Sequence, residues 1–318
     1  MQKAYRYGIE IECLVNTQTY ADTSDALKAL GVKYSLPHNN AKPWHNVVDV
    51  TSDSSISADG DNDGMEIRIG AVSMRTLSRL MPKVQTILQD IGDAHVNRSC
   101  GLHCHVSNRR FLTKKYLKRV IHTWLAVEDV FMRTQPRSRQ HNTYALRFLR
   151  AYFESNFDTL PSKKDQIISK LSRTGRYCTL NLSSLSVHST IENRLHSASI
   201  ESKKIVNWAR LLTAFYNYCL ERYDSVTVNQ LLKQKADSAK VNALFDLLEL
   251  ETDLKKYYAE RIARFNYPTL ETEQTALNQL LALKPEVDKK RKAYERYRRA
   301  YETVEHSFNS ALNIATGR

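Results

Sequence analysis

A chain of 318 residues, 42% apolar and 25% charged, has the composition of one large folded domain with or without an extension. It lacks both the roughly 18 consecutive apolar residues of a membrane span and the uninterrupted run of a signal peptide, and its 5 cysteines make no dense disulfide framework, so a cytoplasmic, reduced protein is expected. Lys and Arg number 47 against 34 Asp and Glu, a net charge of +13 that either serves solubility or favours anionic partners.

Taken in chain order, Tyr7 to Cys13 alternates apolar and polar residues, the period of a half-buried strand. Val47 to Asp53 and Met65 to Gly70 repeat the pattern. Ser73 to Ile91 changes to helical spacing, with Leu77, Leu80, Val84, Ile87, Leu88 and Ile91 on one face. Gly101 to Ser107 returns to alternation. Thr113, suited to an N-cap, opens a helix that carries its apolar stripe through Val127 and Phe131 to Met132. Tyr177 to Ser183 and Thr190 to Leu195 read as one hairpin-like unit, and Ser202 to Tyr223 as another helix. From about Asp224 the strand signal ends. Val226 to Leu250, Asp253 to Phe265 and Glu271 to His306 read as helices, broken near Pro268, the last with basic residues from Lys289 to Arg299 interleaved with Tyr294, Tyr297 and Tyr301. Residues 1–223 are therefore expected to form an α+β domain built on an antiparallel sheet, and 224–318 a basic helical extension able to pack upon it.

Strand parity gives these segments chemical content. Successive side chains point to opposite faces, so Glu10 and Glu12 share one face and Ile9, Ile11 and Cys13 the other. Glu66 and Arg68 oppose Met65, Ile67 and Ile69. His103, His105 and Ser107 oppose Leu102, Cys104 and Val106, and Glu192 and Arg194 oppose Ile191 and Leu195. For any one strand a solvated polar face is the commoner outcome. Across four strands together that reading is strained, because solvated faces favour Lys, Thr and Ser. Cys100, His103, Cys104 and His105 also suggest zinc, but parity turns Cys104 away from the histidines, and the spacing lacks two separated ligand pairs.

Carboxylates gathered on one surface repel one another unless cations intervene. Glu10, Glu12, Asp53, Glu66 and Glu192 would be nearly balanced by two divalent ions. Same-face neighbours on a strand lie about 7 Å apart, against about 3.5–4 Å for paired catalytic metals, so Glu10 and Glu12 would each serve a different ion. Oxygen ligands with one imidazole suit Mg²⁺ or Mn²⁺.

Asn97-Arg98-Ser99-Cys100-Gly101-Leu102-His103-Cys104-His105-Val106-Ser107 resembles the Asn-x-x-x-Gly-x-His-x-His-x-Ser strand of glutamine synthetase-like ligases. With Arg6 to Glu12 before it, and Arg176 to Leu182 and Thr190 to Leu195 after it, the set resembles the amidoligase family of that superfamily over residues 5–222. The resemblance implies a glutamine synthetase-like sheet with helices on one face, and an ATP-dependent carboxylate–amine ligase. It implies that Glu10, His103 and Glu192 bind one metal and Glu12, Glu66 and Asp53 the other. Here the segment from Asp53 to Glu66 departs from glutamine synthetase, whose ligands at that metal are closer together. His105 is implied to contact ATP phosphates, with Asn97 and Ser107 beside it. Arg194, Arg176 and Arg68 are implied to stabilise the transferred phosphoryl group or to anchor an acidic substrate.

The expected partners are ATP, a carboxylate donor and an amine acceptor, either small molecules or peptides, and an anionic polymer could engage the basic tail. The absence of a Gly-x-Ser-x-Gly or Cys/His signature fits chemistry that needs no nucleophilic side chain. Two rivals remain open at this stage. One is a metal-dependent hydrolase using the same histidines and carboxylates. The other is a nucleic-acid-binding protein working through the tail.

Overall fold

In the computed structural model the described residues are 5–34, 47–140, 145–148, 163–171, 176–234 and 238–265. Six strands form one sheet: β1 (Arg6–Asn16), β2 (Val48–Ser52), β3 (Asn62–Val72), β4 (Leu102–Ser107), β5 (Leu180–Asn181) and β6 (Ile191–Asn193). Their order is β2-β3-β1-β4-β6-β5, and every pairing is antiparallel. The molecule is thus α+β. The expected alternation holds in each strand, because Ile9, Ile11, Cys13, Ile67, Ile69, Leu102, Cys104, Val106 and Ile191 are all buried in one core.

Helices supply the other side of that core. They are α1 (Tyr20–Tyr34), α2 (Met74–Asp90), α3 (Lys114–Arg133), the short α4 (Arg137–Gln140), α5 (Lys164–Leu171), α6 (Ser184–Val187) and α7 (Ser202–Asn217), then α8 (Ser225–Lys233), α9 (Ser238–Leu247) and α10 (Thr252–Arg264). Ser73 caps α2 by accepting from the Thr76 N–H at 3.1 Å, and Thr113 caps α3 from the Tyr116 N–H. Trp124 and Phe131 of α3 meet Trp208 and Phe215 of α7 in edge-to-face pairs with centroids 5.5–6.0 Å apart, an arrangement suited to ring quadrupoles.

Some elements differ from expectation. Helix α1 carries no clear apolar stripe and was not foreseen. The single helix expected over Val226 to Leu250 is two, the first opened by Asp224, whose carboxylate accepts from the Val226 and Thr227 N–H groups. Tyr177 to Ser183 and Thr190 to Leu195 do pair, through Leu180 with Asn193 and Asn181 with Glu192, but α6 replaces a tight turn between them. The helices after Asp224 put Val228, Leu231, Leu244, Phe245 and Tyr258 into the sheet's core, and the compact unit runs to Phe265. The basic helix expected over Glu271 to His306 lies outside the described residues.

Candidate active site

The polar face of the sheet becomes a site because register adds to parity. Glu10 on the central β1 sits directly opposite His103 on β4 and opposite Arg68 on β3. His105 sits opposite Gly8 on one side and Glu192 of β6 on the other, and Glu192 in turn opposes Asn181 of β5. Directly opposed residues have Cβ atoms about 4.5–5.5 Å apart, so these side chains meet without any loop to steer them.

Their contacts converge. His103 Nδ1 lies 3.0 Å from Glu10 Oε2 and 3.6 Å from Glu192 Oε1. His105 Nε2 lies 3.2 Å from Glu10 Oε1 and 4.0 Å from Glu192 Oε1. One ligand atom from each of Glu10, His103 and Glu192 falls within 4.8 Å of the others, which suits a single divalent ion. His105 Nε2 is fully buried and makes no aligned hydrogen bond, so it is a further polar atom turned toward the same carboxylates. Arg194 pairs with Glu192 and places Nη1 3.3 Å from His103 Nδ1.

Electrostatics bind the group together. Burial would push the Glu10 carboxyl up, but the hydrogen bond to His103 and the close imidazole of His105 hold it well below the usual carboxylate range. Burial acts the same way on Glu192, and the charges of His105, His103 and Arg194 bring it down. For His105 burial favours the neutral ring, yet Glu10 and Glu192 raise its pKa. His188, edge-on to His105 at 5.6 Å, is lowered by burial and by that neighbour's charge.

Glu12 and Glu66 stand directly opposite one another on β1 and β3. Each already has a partner. Glu12 Oε2 accepts from the Gly101 N–H at 2.6 Å, and Oε1 lies 3.7 Å from His103 Nε2. Glu66 is held by Arg68, whose Nε donates at 2.8 Å, and by Thr51. Asp53 lies one residue beyond β2, where its carboxylate accepts from Ser55 N–H, and it does not join the Glu10 group.

Three expected residues sit apart from the cluster. Asn97 joins two loops, donating to the Ser57 carbonyl between β2 and β3 and accepting from Ser99. Ser107 ends β4 opposite Arg6. Arg176 is exposed and lies over the Tyr177 ring at 4.8 Å. Cys104 is buried in the apolar core and Cys100 in a small cluster with Leu14 and Ile56.

Other residues of the site were not singled out from the sequence, although Asn181 and Thr190 lie in segments read as strands. Asn181 donates to Glu192 Oε2 at 2.6 Å and is itself held by Ser183. Thr190 and Ser184 meet His105 Nδ1 at 2.9 and 3.3 Å, fixing the ring that faces the carboxylates. Gly101 is crowded by the site, since a Cβ there would come within 2.9 Å of His103 Nε2, 3.2 Å of Arg139 Nη2 and 3.3 Å of Glu12 Oε2 and would displace these side-chain ends. Arg139, from α4, has reached the site floor.

Residues 3–216 match the family described as "Putative amidoligase enzyme". The chain belongs to that amidoligase family. The match spans all six strands of the sheet and stops within α7. A comparison with curated proteins gives no match. Among solved structures, a bifunctional glutathione synthetase from Pasteurella multocida is similar at a TM-score of 0.38 and 9% identity, over 82% of this chain and 47% of that one. The amidoligase-family chain thus spans less than half of that protein.

Proposed function

We propose that this protein is an ATP- and divalent-metal-dependent carboxylate–amine ligase with a glutamine synthetase-like sheet. The observation that carries this reading is the convergence of Glu10, His103 and Glu192 from three adjacent strands. Family membership supports it independently.

Glu10, His103 and Glu192 would hold one Mg²⁺ or Mn²⁺, and Glu12 and Glu66, with Asp53, a second. Bound there, the ions would neutralise phosphate charge and orient the nucleotide. A carboxylate oxygen of the donor attacks the γ-phosphorus of ATP, the bond to the ADP oxygen breaks, and an acyl phosphate forms. The acceptor amine then attacks the acyl carbon, phosphate leaves, and the nitrogen loses its proton as the amide forms. His105, aimed by Thr190 and Ser184, contacts phosphate oxygens. Arg194, paired with Glu192, would follow charge onto the moving phosphoryl group, and Arg68 holds Glu66 in place. Such catalysis is mostly positioning and electrostatics. Arg176, Asn97 and Ser107 have supporting roles at the rim.

ATP, the donor and the amine, free or peptide-borne, are the proposed partners, and an anionic polymer could be drawn by the basic tail. Among the described residues no helix is long and apolar enough to cross a membrane, and none of Cys13, Cys100, Cys104, Cys178 and Cys219 is in a disulfide. Both fit a cytoplasmic enzyme.

The test is ADP release in Mg²⁺ or Mn²⁺ across amino acids, polyamines and acidic peptides, with Glu10→Ala, His103→Ala and Glu192→Ala as matched variants. Nucleotide-dependent amide formation that the variants lose supports the ligase. Product formed without ADP release would move the same cluster to a hydrolase, and full turnover in all three variants would remove it from the chemistry.

A further inference from the structure

Arg139 is 4% exposed, and its known partners are two backbone carbonyls. Nη2 donates to the Arg194 carbonyl at 2.5 Å and Nε to the Leu195 carbonyl at 3.3 Å. No carboxylate lies within 4.0 Å of it among the described residues. The nearest, Glu12, is turned to the Gly101 N–H and to His103. A guanidinium has five N–H donors, and no partner for Nη1 is found among the described residues. Buried charge with no carboxylate in contact is expensive, and burial, only partly offset by the Glu12 charge, lowers the Arg139 pKa to about 10. Proteins keep such a group where something else completes it.

The guanidinium borders an open cavity of about 180 Å³, also lined by Asn97, Arg98, Cys100, Ser138 and Ser197. Gly101 forms the step between this cavity and the metal-type cluster, with His103 Nε2 and Arg139 Nη2 crowding the same point. Arg98 adds a second cation at the exposed rim.

We infer that this cavity is the seat of the donor substrate and that Arg139 binds its carboxylate, presenting it beside the Glu10–His103–Glu192 cluster. The inference rests on the ligase reading for the word donor, but the carboxylate site stands on its own geometry. A planar guanidinium matches a carboxylate through two parallel charge-assisted bonds, which selects an organic acid over its neutral amide.

The experiment uses the full chain with glutarate and glutaramide as probes, followed by saturation-transfer NMR at constant ionic strength. Glutarate should bind the wild-type chain, with glutaramide about ten-fold weaker or worse. Arg139→Gln should weaken glutarate about ten-fold or more while glutaramide is unchanged. Ser138→Trp, which blocks the cavity from an exposed position, should abolish glutarate binding without touching the guanidinium. Circular dichroism confirms that each variant is folded, and Ser138→Trp decides alone if Arg139→Gln does not fold. Failure of glutarate to bind the wild type, equal binding of the two probes, or unchanged binding in the folded variants would overturn the inference. Calorimetric titration of ATP with Mg²⁺ is run in parallel. Loss of nucleotide binding with glutarate selectivity intact would sink the ligase reading and leave the carboxylate site standing.

Discussion

The two halves of the sheet's polar face use the same residue types and reach different states. On one half, Glu10, His103, His105 and Glu192 come from adjacent strands and turn their polar atoms toward a common point. On the other, Glu12 and Glu66 are equally well opposed across β1 and β3, yet each is drawn off to a partner of its own, Gly101 or Arg68. Asp53, just past the end of β2, is further removed. The contrast shows what builds a multi-ligand site. Register brings groups into range, and the surrounding donors decide whether they are left available. The first half converges on one point even though Arg194 and Asn181 hold Glu192 there, whereas on the second half the Gly101 amide and Arg68 draw the two carboxylates to separate partners.

Substitutions can sharpen this contrast. The largest expected effect is from Glu10→Ala, His103→Ala or Glu192→Ala, each lowering nucleotide-dependent turnover on the order of 10²–10³-fold. Glu66→Ala should cost less, because its partner Arg68 is freed and not a converged ligand. If the Glu66 variant proves the more damaging in a side-by-side rate measurement, the ranking of the halves is reversed.

Asn181→Ala comes next. It removes the 2.6 Å bond that aims Glu192 while leaving every proposed ligand in place. Outer partners of this kind are worth about 10–100-fold in metal affinity, so Mn²⁺ titration should show a weakened but surviving site. An unchanged affinity would mean that Glu192 needs no such support.

Acidity probes the converged half without any ligand. Glu10 and Glu192 are lowered from 4.5, so their stabilising contribution is complete above that value and is lost as pH falls below it. His105 is raised from 6.5, so its contribution is complete below that value and is lost as pH rises through its folded pKa. The metal-free chain should therefore melt highest between about 4.5 and 6.5, and Glu10→Gln should make both limbs shallower. A wild-type melting profile that stays flat across both limbs would show that these charges do not stabilise one another.

The smallest effect belongs far from either half. Ser73→Ala removes the N-cap of α2 and should cost about 1 kcal/mol of stability in denaturant unfolding, with nucleotide binding untouched. A change in nucleotide affinity would tie the helix layer to the site.

Much of this site could be read from alternation. Period two assigned Glu10, Glu12, Glu66, His103, His105 and Glu192 to one face and turned Cys104 into the core, because parity needs only local sequence. Register is not local. Nothing near Glu12 says that it will face Glu66, or that Gly101 will take its carboxylate. Arg139 was missed because a four-residue helix has no period to read, and its value comes from Gly101, nearly 40 positions away. Asn181 was overlooked for a similar reason, as β5 has only two residues and gains its meaning from Glu192. The break between α8 and α9 lies in a polar stretch, Lys233 to Lys240, that holds neither Pro nor Gly to mark it.

The central claim is that Glu10, His103 and Glu192 form a divalent-metal site for a nucleotide. Manganese titration of the full chain by electron paramagnetic resonance, with and without a non-hydrolysable ATP analogue, tests it most directly. The account predicts a Mn²⁺ site in the wild type that tightens with the analogue and is lost in Glu192→Gln. Equal Mn²⁺ affinity in the wild type and in that variant would contradict it.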